Sequence, residues 1–102
     1  MRIEVIGRDF VITDAIREHA ESKVSKLPRY FDGVQLITVT ISRLGHSNHP
    51  TYDVEVIVDV EKHDDFVSHG KGDDLYATID SAVQKSSRQL TDFKEKLKND
   101  KR

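Results

Sequence analysis

The chain has 102 residues, 36% of them hydrophobic and 33% charged. That length and balance fit one domain with one core under a heavily solvated surface, and they exclude a disordered chain. Sixteen Lys and Arg against eighteen Asp and Glu leave a formal charge of −2, which excludes a globally basic nucleic-acid binder but not a locally basic face. With no cysteine, disulfides, thiolate metal sites and cysteine nucleophiles are excluded together. No segment approaches the ~18 apolar residues of a membrane span, and no signal-peptide run opens the chain. The expectation is a small cytoplasmic domain without a membrane attachment.

Arg2-Ile3-Glu4-Val5-Ile6 alternates and stops at Gly7, which predicts a short strand. Thr13 then suits a helix N-cap, with Asp14 and Glu18 near the positive end of the helix that follows. Ile16, Ala20, Val24 and Leu27 form one apolar stripe, and Pro28 predicts that this helix ends at Leu27. Asp32-Gly33 supplies a turn. In Val34 to Arg43, Ile37, Val39 and Ile41 share one face, while Thr38, Thr40 and Ser42 share the other. In Thr51 to Val60, Tyr52, Val54, Val56, Val58 and Val60 alternate with Asp53, Glu55, Ile57 and Asp59. Residues 44–50 suit a hairpin loop, and Lys62-His63-Asp64-Asp65 a turn into a shorter strand from Phe66 to Gly70. These three strands predict an antiparallel meander with one wet face.

From Asp74 to about Lys98, Leu75, Ile79, Ala82, Val83, Ser86, Leu90, Phe93 and Leu97 gather within roughly a third of the helical wheel. This predicts a long amphipathic helix that Asp73 can cap. Strand, helix, three strands, helix, with helices segregated over a mostly antiparallel sheet, is an α+β sandwich of two layers.

Charge is unevenly spread. Residues 44–74 carry a net of −6, and residues 85–102 a net of +4. On the last helix Lys85, Arg88 and Lys96 line up opposite the apolar stripe, with Asp92 among them. On the first, His19, Lys23 and Lys26 share an edge that continues into Arg29 and Tyr30. One reading is a solvated face with i,i+4 pairs. The other is a polyanion-binding face, because lysines and arginines on phosphates release counterions and gain affinity without reading sequence. Tyr30 or Phe31 could pack on a sugar or base, although Phe31 reads first as core.

Residue patterns with catalytic or ligand-binding chemistry are few. His46 and His49 are spaced HxxH but lack the helical HExxH context, and His63 precedes Asp64 and Asp65; all three read as exposed loop histidines. His69 reads as a structural or RNA-contacting residue rather than a ligand. Ser68, His69 and Asp73 have the residue types of a hydrolase without a nucleophile elbow. Gly70-Lys71-Gly72 lacks the remaining residues of a phosphate loop. Asp64-Asp65 and Asp73-Asp74 read as solvent-facing caps. No enzyme, cofactor, metal site or small-molecule substrate is expected.

Ile6-Gly7-Arg8 with Val11 to Glu18, Lys23 to Asp32, Asp74-Leu75-Tyr76-Ala77-Thr78-Ile79-Asp80, Arg88-Gln89-Leu90 and Lys94 to Lys98 resemble segments of one family. The chain is similar to the short ribosome hibernation promoting factors and ribosome-associated inhibitor A, the sigma-54 modulation protein-like proteins. The resemblance spans 1–98 as one domain and leaves 99–102 as a short charged tail, without the C-terminal dimerisation domain of the long forms. It implies a β-α-β-β-β-α fold like a double-stranded-RNA-binding domain, with two helices on one face of a four-stranded sheet. It also implies a cytoplasmic stress factor that enters the small ribosomal subunit between head and body. There it would occupy the messenger RNA path and the aminoacyl and peptidyl transfer-RNA sites, blocking translation and preserving idle 70S or paired ribosomes.

The basic positions that match the family are Lys23, Lys26, Arg29, Lys85, Arg88, Lys94, Lys96 and Lys98, which the resemblance implies contact ribosomal RNA. Tyr76 then reads as edge-of-core and Asp80 as a loop anchor. The chain departs from the family at Asp92, where a base is usual, at Pro28, and in the loop holding His46 and His49. Two readings compete: a protein-interaction module using the sheet edge or the acidic hairpin, and a zinc-binding module using His46 and His49.

Overall fold

The computed structural model of the chain describes residues 1–45 and 50–100, with side chains described as far as Lys98. The elements are β1 (Arg2–Arg8), α1 (Asp14–Val24), a 3-10 turn at Leu27–Arg29, β2 (Val34–Leu44), β3 (Thr51–Val60), β4 (Phe66–Gly72) and α2 (Leu75–Asp100). The strands lie in the order β1-β2-β3-β4. The meander β2-β3-β4 is antiparallel, and β1 joins β2 in parallel, with α1 as the crossover that a parallel pair requires.

Alternation decides which side of this sheet is dry. The register aligns Val5 with Val39, Val39 with Val56 and Val56 with Ser68, so one pleat face carries an unbroken row from edge to edge. Both helices cover that face. Ile16, Ala20, Val24 and Leu27 of the first apolar stripe, and Leu75, Ile79, Ala82, Val83 and Leu90 of the second, join the strand valines in one buried cluster. Thr38, Thr40, Ser42, Asp53, Glu55 and Asp59 lie on the opposite, partly exposed face, as the period of two requires. The expected α+β sandwich, with both helices on one side, is the fold observed.

Local details differ from the sequence reading at several points. β1 runs through Gly7 to Arg8, because its pairing with β2 continues as far as Ser42. β4 likewise continues through Gly70 to Gly72 opposite Tyr52. α1 ends at Val24 rather than Leu27. Pro28 has no N–H to give back to the helix, so the chain tightens into three-residue bonds from Arg29 to Lys26 and from Tyr30 to Leu27. Leu27 is buried all the same. The Thr13 hydroxyl caps α1 by accepting from the Ile16 amide (3.2 Å). Asp74, not Asp73, caps α2: its carboxylate accepts from the Ala77 amide (3.2 Å) and its carbonyl from the Thr78 amide and hydroxyl. Phe93 is only half-buried and Leu97 is 39% exposed, because this part of α2 lies past the strand valines that cover Ile79 to Leu90.

Two contacts set α2 on the sheet. A Cβ at Gly70 would stand 2.7 Å from the Thr78 carbonyl oxygen and 3.3 Å from Ala82, so glycine is what lets the helix backbone approach β4 this closely. Beside it, the buried Ser86 hydroxyl donates to the buried Ser68 hydroxyl (3.0 Å). Ser86→Ala strands the Ser68 oxygen and is expected to cost about 1–3 kcal/mol, whereas the Ser68→Ala, Ser86→Ala double variant recovers most of that loss. Urea unfolding of the two variants beside the unaltered protein checks this.

Candidate nucleic-acid interface

The seam between the helices is polar at one end. α1 presents His19 and Lys23 one turn apart, and α2 answers with Tyr76 and Asp80, also one turn apart. His19 Nε2–H donates to Asp80 Oδ1 (2.8 Å), and Lys23 Nζ lies 3.8 Å from the same oxygen. The Tyr76 ring, 42% exposed, meets the His19 imidazole edge-on at 4.8 Å. Asp80 therefore anchors helix α1 rather than a loop, and Tyr76 packs on His19 outside the core.

Further along, the seam opens into a groove. Lys23, Lys26, Leu27 and Tyr30 form one wall, and Asp80, Val83, Gln84 and Ser87 the other, around a cavity of about 260 Å³. Two helical turns past Ser87, about 10 Å along the axis, the same flank of α2 carries a second depression. Lys94, Leu97 and Lys98 face Phe31 and Asp32 around about 280 Å³. An aromatic stack supports it, with the Phe93 ring tilted against Phe31 (5.2 Å), Phe66 (5.2 Å) and His63 (4.4 Å).

The other flank of α2 faces β4. Lys85 Nζ donates to the His69 carbonyl (2.8 Å), and Gln89 Nε2 to the Val67 carbonyl (3.1 Å). At 100° per residue, Asp92 and Lys96 share the flank of Lys85, while Arg88 stands on the exposed crest between the two flanks. Arg29 is exposed at the end of the 3-10 turn. The cations thus do not form one patch. Lys23, Lys26, Lys94 and Lys98 line the α1-facing side, Arg88 the crest, and Lys85 and Lys96 the β4 side with Asp92 between them. Gln84, Ser87 and Leu97 were not legible as site residues, although Asp80, Gln84 and Ser87 recur at helical spacing and so had to share a flank.

The residues with hydrolase or phosphate-loop character lie apart. Ser68 lies on the core face, while His69 lies on the opposite face, its Nε2–H donating to Glu55 (2.9 Å). Gly70-Lys71-Gly72 is strand, not loop. His63 stacks flat on Phe66 (4.6 Å), and its Nδ1–H donates to the Asp64 carbonyl (2.6 Å). His46 and His49 lie outside the described residues. Among the described residues no three His, Cys, Asp or Glu side chains converge as a metal would need, and no helix is long and apolar enough to cross a membrane.

Comparison with known proteins gives a consistent picture. Residues 3–98 match the family described as sigma 54 modulation protein / S30EA ribosomal protein. The chain is 34% identical over 100 residues to the ribosome hibernation promoting factor of Escherichia coli strain K12, covering 96% of this chain and 98% of that one. It is 35% identical over 97 residues to the ribosome hibernation promotion factor of Staphylococcus aureus strain COL, of which it spans 50%. Among solved structures, the N-terminal domain of Thermus thermophilus Protein Y superposes with a TM-score of 0.79 at 36% identity, covering 91% of this chain and 99% of that domain.

The His19–Asp80–Lys23 node is half in water, where ion pairs contribute little. Asp80→Ala is accordingly expected to lower stability by about 1 kcal/mol or less, read from the midpoint of urea unfolding.

Proposed function

We propose, because this chain belongs to the sigma 54 modulation protein / S30EA ribosomal protein family, that it binds the small ribosomal subunit and holds the ribosome idle. The seat is the cleft between head and body, over the messenger RNA path and the aminoacyl and peptidyl transfer-RNA sites. Translation stops by occlusion, with no reaction catalysed, and the complex is an inactive 70S particle or a pair of them in the cytoplasm of a stressed cell.

The observation that carries this reading is the disposition of cations around α2. A flat nucleic-acid surface would need them on one face. A helix with Lys23, Lys26, Lys94 and Lys98 along one flank, Arg88 on the crest, and Lys85 and Lys96 on the other suits a cleft whose two walls both bear phosphate. The ridge is about 10–12 Å across with its side chains, so a single insertion brings both walls within reach. The bond from Lys85 to a carbonyl uses one of three ammonium donors and leaves its charge at the mouth of that flank. The acids of β3 lie on the sheet face opposite the helices, so a net charge of −2 does not by itself oppose contact at the ridge.

Such binding is dominated by counterion release, so its logarithm falls linearly with the logarithm of salt concentration. In sucrose gradients of starved cells the chain is expected with small subunits and whole ribosomes, leaving them as salt rises. Lys26→Glu, Lys94→Glu and Lys98→Glu combined should release it to the top of the gradient at salt where the unaltered protein still sediments, with unchanged circular dichroism. Sedimentation of the triple variant with ribosomes as before would overturn the assignment.

A further inference from the structure

Phosphate contact accounts for the lysines but not for the apolar floor beside them. The depression between the C-terminal half of α2 and the turn after the 3-10 segment is lined by Phe31, Leu97, Lys94, Lys98 and Asp32. Its parts are held firmly. The edge of the Phe31 ring lies so close to Gly33 that a Cβ there would stand 2.6 Å from it, and Phe93 meets the same ring edge-on at 5.2 Å. At about 280 Å³ the cup is at the small end for a drug-sized ligand, and one flat nucleobase suits it.

We propose that this cup seats one unstacked guanine of single-stranded RNA, with Phe31 and Leu97 against its faces, Lys94 and Lys98 on its flanking phosphates, and Asp32 reading its edge. The seat rests on the reading of the chain as a ribosome binder and adds base recognition to it. Charge and shape argue together for this occupant. Two ammonium groups on the rim of an apolar pocket suit a ligand that is apolar in the plane and anionic at its ends, as a nucleotide is. The cup also continues the flank that carries Lys23, Lys26 and Tyr30, so a strand lying in the helix groove reaches it within two turns of α2.

Asp32 narrows the choice of base. A carboxylate at the pocket would repel a phosphate, but it accepts only hydrogen bonds. Among the described residues it forms no ion pair. Guanine alone among the four bases offers two adjacent donors, N1–H and the N2 amino group, which match the two oxygens of a carboxylate. Uracil offers a single N–H flanked by two carbonyls that the carboxylate repels.

The test uses the full chain and fluorescein-labelled uridine oligomers of about 10 nucleotides, within the usual site sizes. One oligomer carries a central guanosine, one an abasic position there, and one uridine throughout. Stacking of a base on aromatic side chains predicts that the guanosine oligomer binds about 5- to 150-fold tighter than the abasic one, whose phosphates are identical. Phe31→Ala removes a ring that also supports Phe93, so the decisive variant is Asp32→Asn, at an exposed turn position where asparagine is equally at home. It should erase the preference for guanosine over uridine while leaving affinity for the abasic oligomer the same or slightly higher, because a charge that repels phosphate is removed.

Equal affinity for the guanosine and abasic oligomers, with the chain still sedimenting with ribosomes, overturns the seat and leaves the ribosome reading intact. A guanosine preference in a chain absent from ribosome fractions supports the seat and overturns that reading. Self-association of the free chain that Leu97→Glu abolishes, without any base preference, assigns the cup to a second copy and overturns the proposal.

Discussion

The structure hangs on how closely α2 lies against β4. Gly70 removes the one side chain that would hold the helix backbone off the strand, and the Ser68–Ser86 hydrogen bond fixes the helix at that depth. From that seam the rest follows. Ile79, Ala82 and Leu90 reach the strand valines without a gap, and the rotation of α2 about its axis is settled. With the rotation settled, so is the side on which every lysine of the helix emerges. A helix seated higher or turned by one residue would carry the same charges to different neighbours.

Asp80 is the second fixed point. One carboxylate gathers His19 and Lys23 from α1 at the head of the groove that Lys26, Tyr30, Gln84 and Ser87 line. The negative charge at the closed end of the seam leaves the cations at its open end free to meet an anion. Most acids thus sit on the meander and at the root of the seam, while seven of the ten charged side chains from Lys85 to Arg102 are bases.

The strands, the helices and the buried stripe were legible in the sequence, because periods of two and 3.6 are properties of the chain alone. Ile37, Val39 and Ile41, or Ile16, Ala20 and Val24, have no other way to share a face. The ends of elements were less so. Pro28 signalled a break, but nothing in the sequence said that α1 would stop at Val24 and the chain tighten into a 3-10 turn around the proline. Asp73 and Asp74 are equivalent candidates for a cap until the backbone chooses. The cations illustrate a deeper limit. A helical wheel gives the angle between Lys85 and Lys94, yet it cannot say that β4 lies beside one and the 3-10 turn beside the other. Phe31 and Asp32 meet Lys94, Leu97 and Lys98 only through tertiary packing, so the cup has no local signature.

The reach of Lys85 and Gln89 over the last strand has a bearing on crowding. An edge strand with bare carbonyls is a template on which another chain can lay its own backbone. Here two of those carbonyls, at Val67 and His69, are already occupied by side chains from the helix above, and an ammonium group stands over the line along which a foreign strand would have to approach. Strand addition along this edge would first have to displace those two bonds.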